Sequence, residues 1–270
     1  MLKNILLWVI AIILTLSAAV YQRLTGPTHP ISDNITFAES RIEYTLNRNH
    51  GGSEDLPVTI LVADTIINGT LMYKRYKTDN DYTPVPMIRI GDSLTASLPH
   101  QPPAGKLEYY LYLYTKDSHV SIPNDHSVVI RFKGAVPKVV LAPHIIFIFM
   151  AMLWSTRTGL EALKKDGKTG SLTKQTVLLL LVGGMIMGPI VQKFAFGEFW
   201  TGVPFGWDLT DNKTLVAFVG WLIALWRHRH CSSPRFWVLA ASIILIGIFT
   251  IPHSTMGSEL NYSTGEVETG

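Results

Sequence analysis

The sequence predicts an α+β membrane protein, and three observations predict it. Of 270 residues 47% are hydrophobic and only 16% charged, well below the roughly one quarter of charged residues usual in soluble domains. The apolar residues gather into five runs, at 5–21, 139–154, 177–191, 214–226 and 236–251. Residues 23–138 instead read as short alternating segments. The expected order is a transmembrane anchor or signal-anchor at 1–22, an extracytoplasmic β-sandwich at 23–137, a four-helix transmembrane domain at 138–254 with an outer aromatic loop at 193–213, and a polar extracytoplasmic tail at 255–270.

Lys3 precedes the first run and Ser17, Ala18 and Ala19 close it, which is the layout of a cleaved signal peptide. Trp8 and the long Ile/Leu core suit a retained helix, and that is the expectation adopted. Each run is shorter than the ~20 residues that cross a ~30 Å hydrocarbon core, so the helices must extend into their flanks. The fourth is the weakest. Basic residues set the direction. Arg157, Lys164, Lys165, Lys168 and Lys174 share one link, and Arg227, Arg229 and Arg235 share another two spans later. With both links cytoplasmic, the chain is expected to be a multi-pass cell-membrane protein with its N-terminus inside. The β-rich block, the aromatic loop and the C-terminus then lie outside.

The central block contains "NITFAES", "RIEYTLN", "PVTILVA", "GTLMYKRYKT", "TPVPMIRI", "DSLTASLP", "KLEYYLYLYT" and "HSVVIRFKG". Turn clusters such as "NHGGSEDLP", "IGDS" and "PHQPPAG" separate them. Short strands at that spacing predict a β-sandwich of immunoglobulin or fibronectin type III character. A period of two puts Leu107, Tyr109, Leu111 and Leu113 on one face of "KLEYYLYLY" and Glu108, Tyr110, Tyr112 and Tyr114 on the other. The second face is either a docking row of phenols or a set of tyrosines chosen for strand propensity and covered by a neighbour. Cys231 is the one cysteine, so no intramolecular disulfide staples this block. Asn34, Asn68, Asn212 and Asn261 open N-x-S/T triplets, which serve as glycosylation acceptors in a eukaryotic secretory pathway. A net charge of +3 is too small to point to nucleic acid.

The third run carries "GGMIMGP", whose glycines allow close helix packing and whose proline favours a bend. The stretch that follows, "FGEFWTGVPFGWDLTDNKT", places Phe196, Phe199, Trp200, Phe205 and Trp207 beside Glu198, Asp208, Asp211 and Lys213. Aromatic belts at membrane interfaces are common, but a belt is spaced along helix ends and this is a compact platform. His144 opens the second run and His253 closes the fifth, at the height expected for the loop. A single interfacial histidine is usually a polar helix-end residue. Two imidazoles with flat aromatic side chains between them match what a porphyrin requires, two axial nitrogens and apolar faces.

The order histidine, two spans, a loop ending in Trp-Asp, two spans, histidine resembles the tryptophan-rich WWD family of cytochrome c biogenesis haem-handling proteins. Phe196-Gly197-Glu198-Phe199-Trp200 and Gly206-Trp207-Asp208 correspond to the halves of that family's loop, with Phe196 in place of its first Trp and "TGVPF" lengthening the gap. The resemblance covers 143–253 and implies haem as cofactor, His144 and His253 as the metal ligands, and Trp200, Trp207 and Asp208 as the core of the haem platform. Lys193 or Lys213 would meet the propionates. It implies an apocytochrome or a membrane-complex subunit as partner of the β-sandwich, beside membrane lipid.

A different class of function is a non-enzymatic scaffold whose sandwich binds a protein partner and whose helices anchor it. A transporter ranks last, because the runs hold almost no ionisable residues. Asp211 or Asn212 is expected to cap the fourth span, although "DLTDN" with Glu198 also offers hard oxygen donors for a metal. No phosphate-cradling loop, nucleophile elbow or metalloprotease pattern occurs, so no independent catalytic activity is expected.

Overall fold

Apolar runs became helices and alternating segments became strands, in the order the pattern dictates. The computed structural model describes every residue except Met1, Asp125, Ser232, His253, Ser254, Met256 and Gly270. The chain divides into two units: a helical one, and a β-rich one made of Thr28–Ala135 together with Glu259–Glu268.

The helical unit begins with α1 (Leu2–Thr25) and continues with α2 (Lys138–Ala162), α3 (Gly170–Leu180), a π-helical turn (Leu181–Met187), α4 (Gly188–Phe196), α5 (Leu209–His230) and α6 (Arg235–Thr250). Three helices are long and apolar enough to cross a membrane: α1, α2 and the continuous 27-residue rod Gly170–Phe196. α6 is a shorter apolar helix of 16 residues. α5 is 22 residues long but starts with a polar turn and does not reach that hydropathy.

α1 turns Ala11, Thr15 and Ala18 inward, at helical spacing, and leaves most of its other apolar side chains exposed. It runs antiparallel to α2. Asn4 accepts a hydrogen bond from Arg157, and Trp8 packs edge-on against Trp154 with ring centres 5.0 Å apart. Arg157 is buried, pairs with Glu161 at 2.8 Å and lies over the Trp8 ring, while Lys164 reaches the other Glu161 oxygen at 2.9 Å. A buried charge this thoroughly partnered makes loss of one partner costly. α2 presses close against the π turn: a Cβ on Gly183 would sit 2.9 Å from the Ile148 nitrogen. Only glycine fits there.

The β unit contains β1 (Ile31–Phe37), β2 (Ser40–Leu46), β3 (Asn49–Gly51), β4 (Leu56–Leu61), β5 (Asn68–Arg75), β6 (Thr83–Pro86), β7 (Ile88–Ile90), β8 (Ser93–Leu98), β9 (Lys106–Tyr114), β10 (His119–Ile122) and β11 (Val128–Lys133). One sheet has the order β3-β11-β9-β5-β6, with β10 also on β9, and a second has the order β4-β8-β7; β1 and β2 form a hairpin. All of the quoted segments form strands, and "TPVPMIRI" is split so that β6 joins one sheet and β7 the other. A single apolar cluster draws Ile42 and Leu46 from the hairpin, Val58, Ile60, Leu94 and Leu98 from the smaller sheet, and Leu71, Ile130 and Phe132 from the larger. Leu107, Tyr109, Leu111 and Leu113 are fully buried in it, as the period of two requires. Tyr109 donates to the Asn47 carbonyl at 2.8 Å, and burial pushes its phenol pKa upward.

The segment expected to be a polar tail forms a hairpin of β12 (Ser258–Leu260) and β13 (Val267–Thr269). Within the β unit, Glu259 pairs with Lys106 and with Lys77, the latter at 3.2 Å. Tyr262 donates to the Lys106 carbonyl at 2.9 Å and lies under Arg75. Burial pushes the Tyr262 phenol up to about 12. Burial also raises the Glu259 carboxyl, but the hydrogen bonds and charges of Lys106 and Lys77 outweigh it and hold it below its ordinary value.

Candidate functional site

The aromatic loop is built by the two helices it joins. α4 stops at Gly197, whose φ of 91° is the left-handed conformation that glycine adopts without strain, and its N–H bonds to the Lys193 carbonyl at 3.0 Å. Lys193 donates to the Gly197 carbonyl and covers the Phe199 ring. At the far end α5 is capped by Asp208, which accepts from Thr210 N at 2.8 Å and Asp211 N at 3.4 Å. The expected caps, Asp211 and Asn212, already lie in the first helical turn, whereas Asp208 has the non-helical backbone a cap requires.

Asp211 and Asn212 turn back into the loop. One Asp211 oxygen accepts from Thr201 N at 2.7 Å, Gly202 N at 3.1 Å and the Gln192 amide at 3.0 Å. Asn212 accepts from Val203 N at 2.7 Å. Gly202 has no room for a side chain, because a Cβ would sit 2.7 Å from both the Asn212 oxygen and the Asp211 Cβ. The second Asp208 oxygen accepts from Ser258 N at 2.8 Å and Ser258 Oγ at 2.9 Å. Asp208, Asp211, Gln192 and Ser258 are all buried, as is Lys213, whose ammonium donates to the Ile251 carbonyl at 2.9 Å. Hydrogen bonds to charged acceptors contribute about 1.5–3 kcal/mol each, so the clamp holds the loop in one shape.

Outside the clamp the loop is apolar. Phe199, Val203, Phe205 and Trp207 are 55%, 42%, 82% and 74% exposed. Trp200 is half-buried and donates its indole N–H to the Val203 carbonyl at 3.1 Å. Lys193, Trp200, Trp207 and Asp208 are thus brought together in one loop, but Asp208, Lys193 and the Trp200 indole nitrogen serve the loop's own fold.

His144 sits elsewhere. Its ring lies against Gly188, and Nδ1 is 2.9 Å from the Gly183 carbonyl inside the π turn. A carbonyl only accepts, so Nδ1 carries the proton and Nε2 the lone pair. Among the described residues Nε2 has no hydrogen-bond partner. Hydrogen bonding of the far ring nitrogen is how proteins orient a metal-ligating histidine. The nine residues of α4 separate this ring from Gly197, about 13 Å at ~1.5 Å per residue, rather than the common height expected from sequence. His253 lies outside the described residues. Among the described residues no three His, Cys, Asp or Glu side chains are grouped to hold a metal ion. Of the oxygen donors named from sequence, Asp208 and one oxygen of Asp211 are engaged by N–H and O–H donors of the loop and of Ser258.

Sequence reasoning missed Gln192, Thr201, Gly202 and Ser258. A glutamine near the end of an apolar run was the available signal for the first; Ser258 had none. No protein-family model matches the chain, and no curated protein matches it at a significant level.

Proposed function

We propose that the chain is an integral membrane haem-binding protein with five spans, its N-terminus cytoplasmic, that presents haem at the outer membrane face for cytochrome c maturation or a respiratory complex. The observation that carries this reading is the His144 imidazole, oriented by the Gly183 carbonyl so that Nε2 is the nitrogen available to a metal. His144 would hold the iron through Nε2, and His253 would be the second ligand in this reading. Phe205, Trp200 and Trp207 would supply apolar contact only to the outer edge of the macrocycle, because the loop starts about 13 Å along α4 from the Gly188 turn where His144 lies, while Asp208 acts as a positioning residue through the cap and Ser258. Haem, when bound, supplies the redox chemistry of its iron; the protein's part is ligation and placement. Two sheets and a hairpin sharing one core support the β-sandwich reading, and that domain would receive the apocytochrome or membrane-complex subunit. Purified protein titrated with haem should develop a Soret band that weakens with His144→Ala and with His253→Ala. A band identical in both variants, or none in the wild type, removes the proposal.

One observation favours the scaffold reading: Lys193, Asp208 and the Trp200 indole N–H are all engaged inside the loop and serve its own fold. In that case haem titration is silent, the β-rich unit alone keeps the partner affinity, and replacing Trp200 or Trp207 only lowers stability.

A further inference from the structure

The end of the helical unit remote from the aromatic loop joins two links that are distant in sequence. His228 Nε2 lies 3.1 Å from Thr169 Oγ1, and a Cβ on Gly170 would sit 2.9 Å from the His228 ring. The Arg227 guanidinium lies 4.6 Å from the centre of the Trp237 ring and 5.0 Å from that of Trp226. The start of α3, the end of α5 and the first turn of α6 therefore form one surface. Lys164, Lys165, Lys168, Lys174, Arg227, Arg229 and Arg235 belong to it. Its one exposed carboxylate is Asp166, because Glu161 is buried against Arg157 and Lys164. Exposed apolar groups lie in the same segments, with Leu163 65%, Trp226 53% and Phe236 69% exposed.

We propose that this end is a docking surface for anionic phospholipid headgroups. The charge is predominantly positive, as docking to a phosphate-bearing surface requires, and each added Lys or Arg near such a surface strengthens attraction several-fold. Soluble phosphate would satisfy the cations and leave Leu163, Trp226 and Phe236 uncovered. A lipid covers both, with its phosphate on the basic groups and its glycerol and upper acyl region on the rings. Arg227 held between two indoles keeps its cation at that boundary. The proposal rests on the reading that the apolar helices cross a bilayer.

The test uses the full chain in phosphatidylcholine nanodiscs with and without phosphatidylglycerol, reading bound lipid by native mass spectrometry in low and in molar salt. Preferential retention of phosphatidylglycerol, screened by salt and weakened on the order of 100-fold in the triple variant Lys165→Gln, Lys168→Gln, Arg229→Gln, is the expected result. These three side chains are exposed, so the variant should fold; melting in phosphatidylcholine alone checks this. Equal retention of both lipids, unchanged preference in the triple variant, or full competition by inorganic phosphate would overturn it. Release of the chain from membranes by alkaline carbonate would instead mean that the bilayer reading itself is at fault.

Discussion

The two ends of the helical unit place their charged side chains oppositely. At the loop end Asp208, Asp211 and Lys213 are inside while Phe205 and Trp207 are outside. At the basic end the Lys and Arg side chains are mostly outside, and a buried ion pair, Arg157 with Glu161, ties α1 to α2 through Asn4. Buried carboxylates are therefore the framework of the loop end, accepting the backbone N–H groups of a segment that has no regular structure to satisfy them. At the basic end a single carboxylate plays a smaller part of this kind: buried Glu161 accepts from Lys168 N at 3.3 Å while it pairs with Arg157 and Lys164.

Removing Asp211 should break that contrast most severely. Asp211→Ala leaves the Thr201, Gly202 and Gln192 donors without their acceptor in a buried place, at a cost of about 3–5 kcal/mol. Detergent-phase denaturation should show it, with loop proteolysis near Thr201 as the local signature. Arg157→Ala should cost about 3 kcal/mol by leaving Glu161 with Lys164 as its one remaining cation and releasing Asn4. The same contacts predict that α1 is retained in the mature protein, which an intact mass would verify or refute.

A smaller effect comes from pH. The folded Glu259 carboxyl is held below its ordinary value of 4.5, so its contribution is present above that value and is lost as pH falls through the lower folded one. Protease release of the C-terminal hairpin should rise on acidification over that window, and Glu259→Gln should be released more readily at neutral pH and lose the acid dependence. Least disruptive is Phe205→Ala, expected within about 0.5 kcal/mol of wild type because the ring is 82% exposed. A larger loss would mean that the ridge is part of the packing and not a presented surface.

Much of the fold was legible because its periods are. Alternation marked the long strands and continuous apolar runs marked the helices, whereas β3 and β10, at 3 and 4 residues, are too short to show a period. The C-terminal hairpin has no apolar run at all and is held by Glu259 and Tyr262. The loop announced itself by ring density. Its clamp did not, because Asp208, Asp211 and Asn212 are all cap-type residues within five positions, and only the backbone conformation decides which one caps. His144 was found by type, but its depth depends on packing against Gly183, a tertiary contact that no local pattern encodes.

Electron paramagnetic resonance of the haem-loaded protein bears most directly on the central claim that His144 is a prepared axial ligand. A low-spin signal in the wild type that turns high-spin in His144→Ala, with the clamp intact by proteolysis, is the predicted outcome. A signal indifferent to that substitution would contradict it.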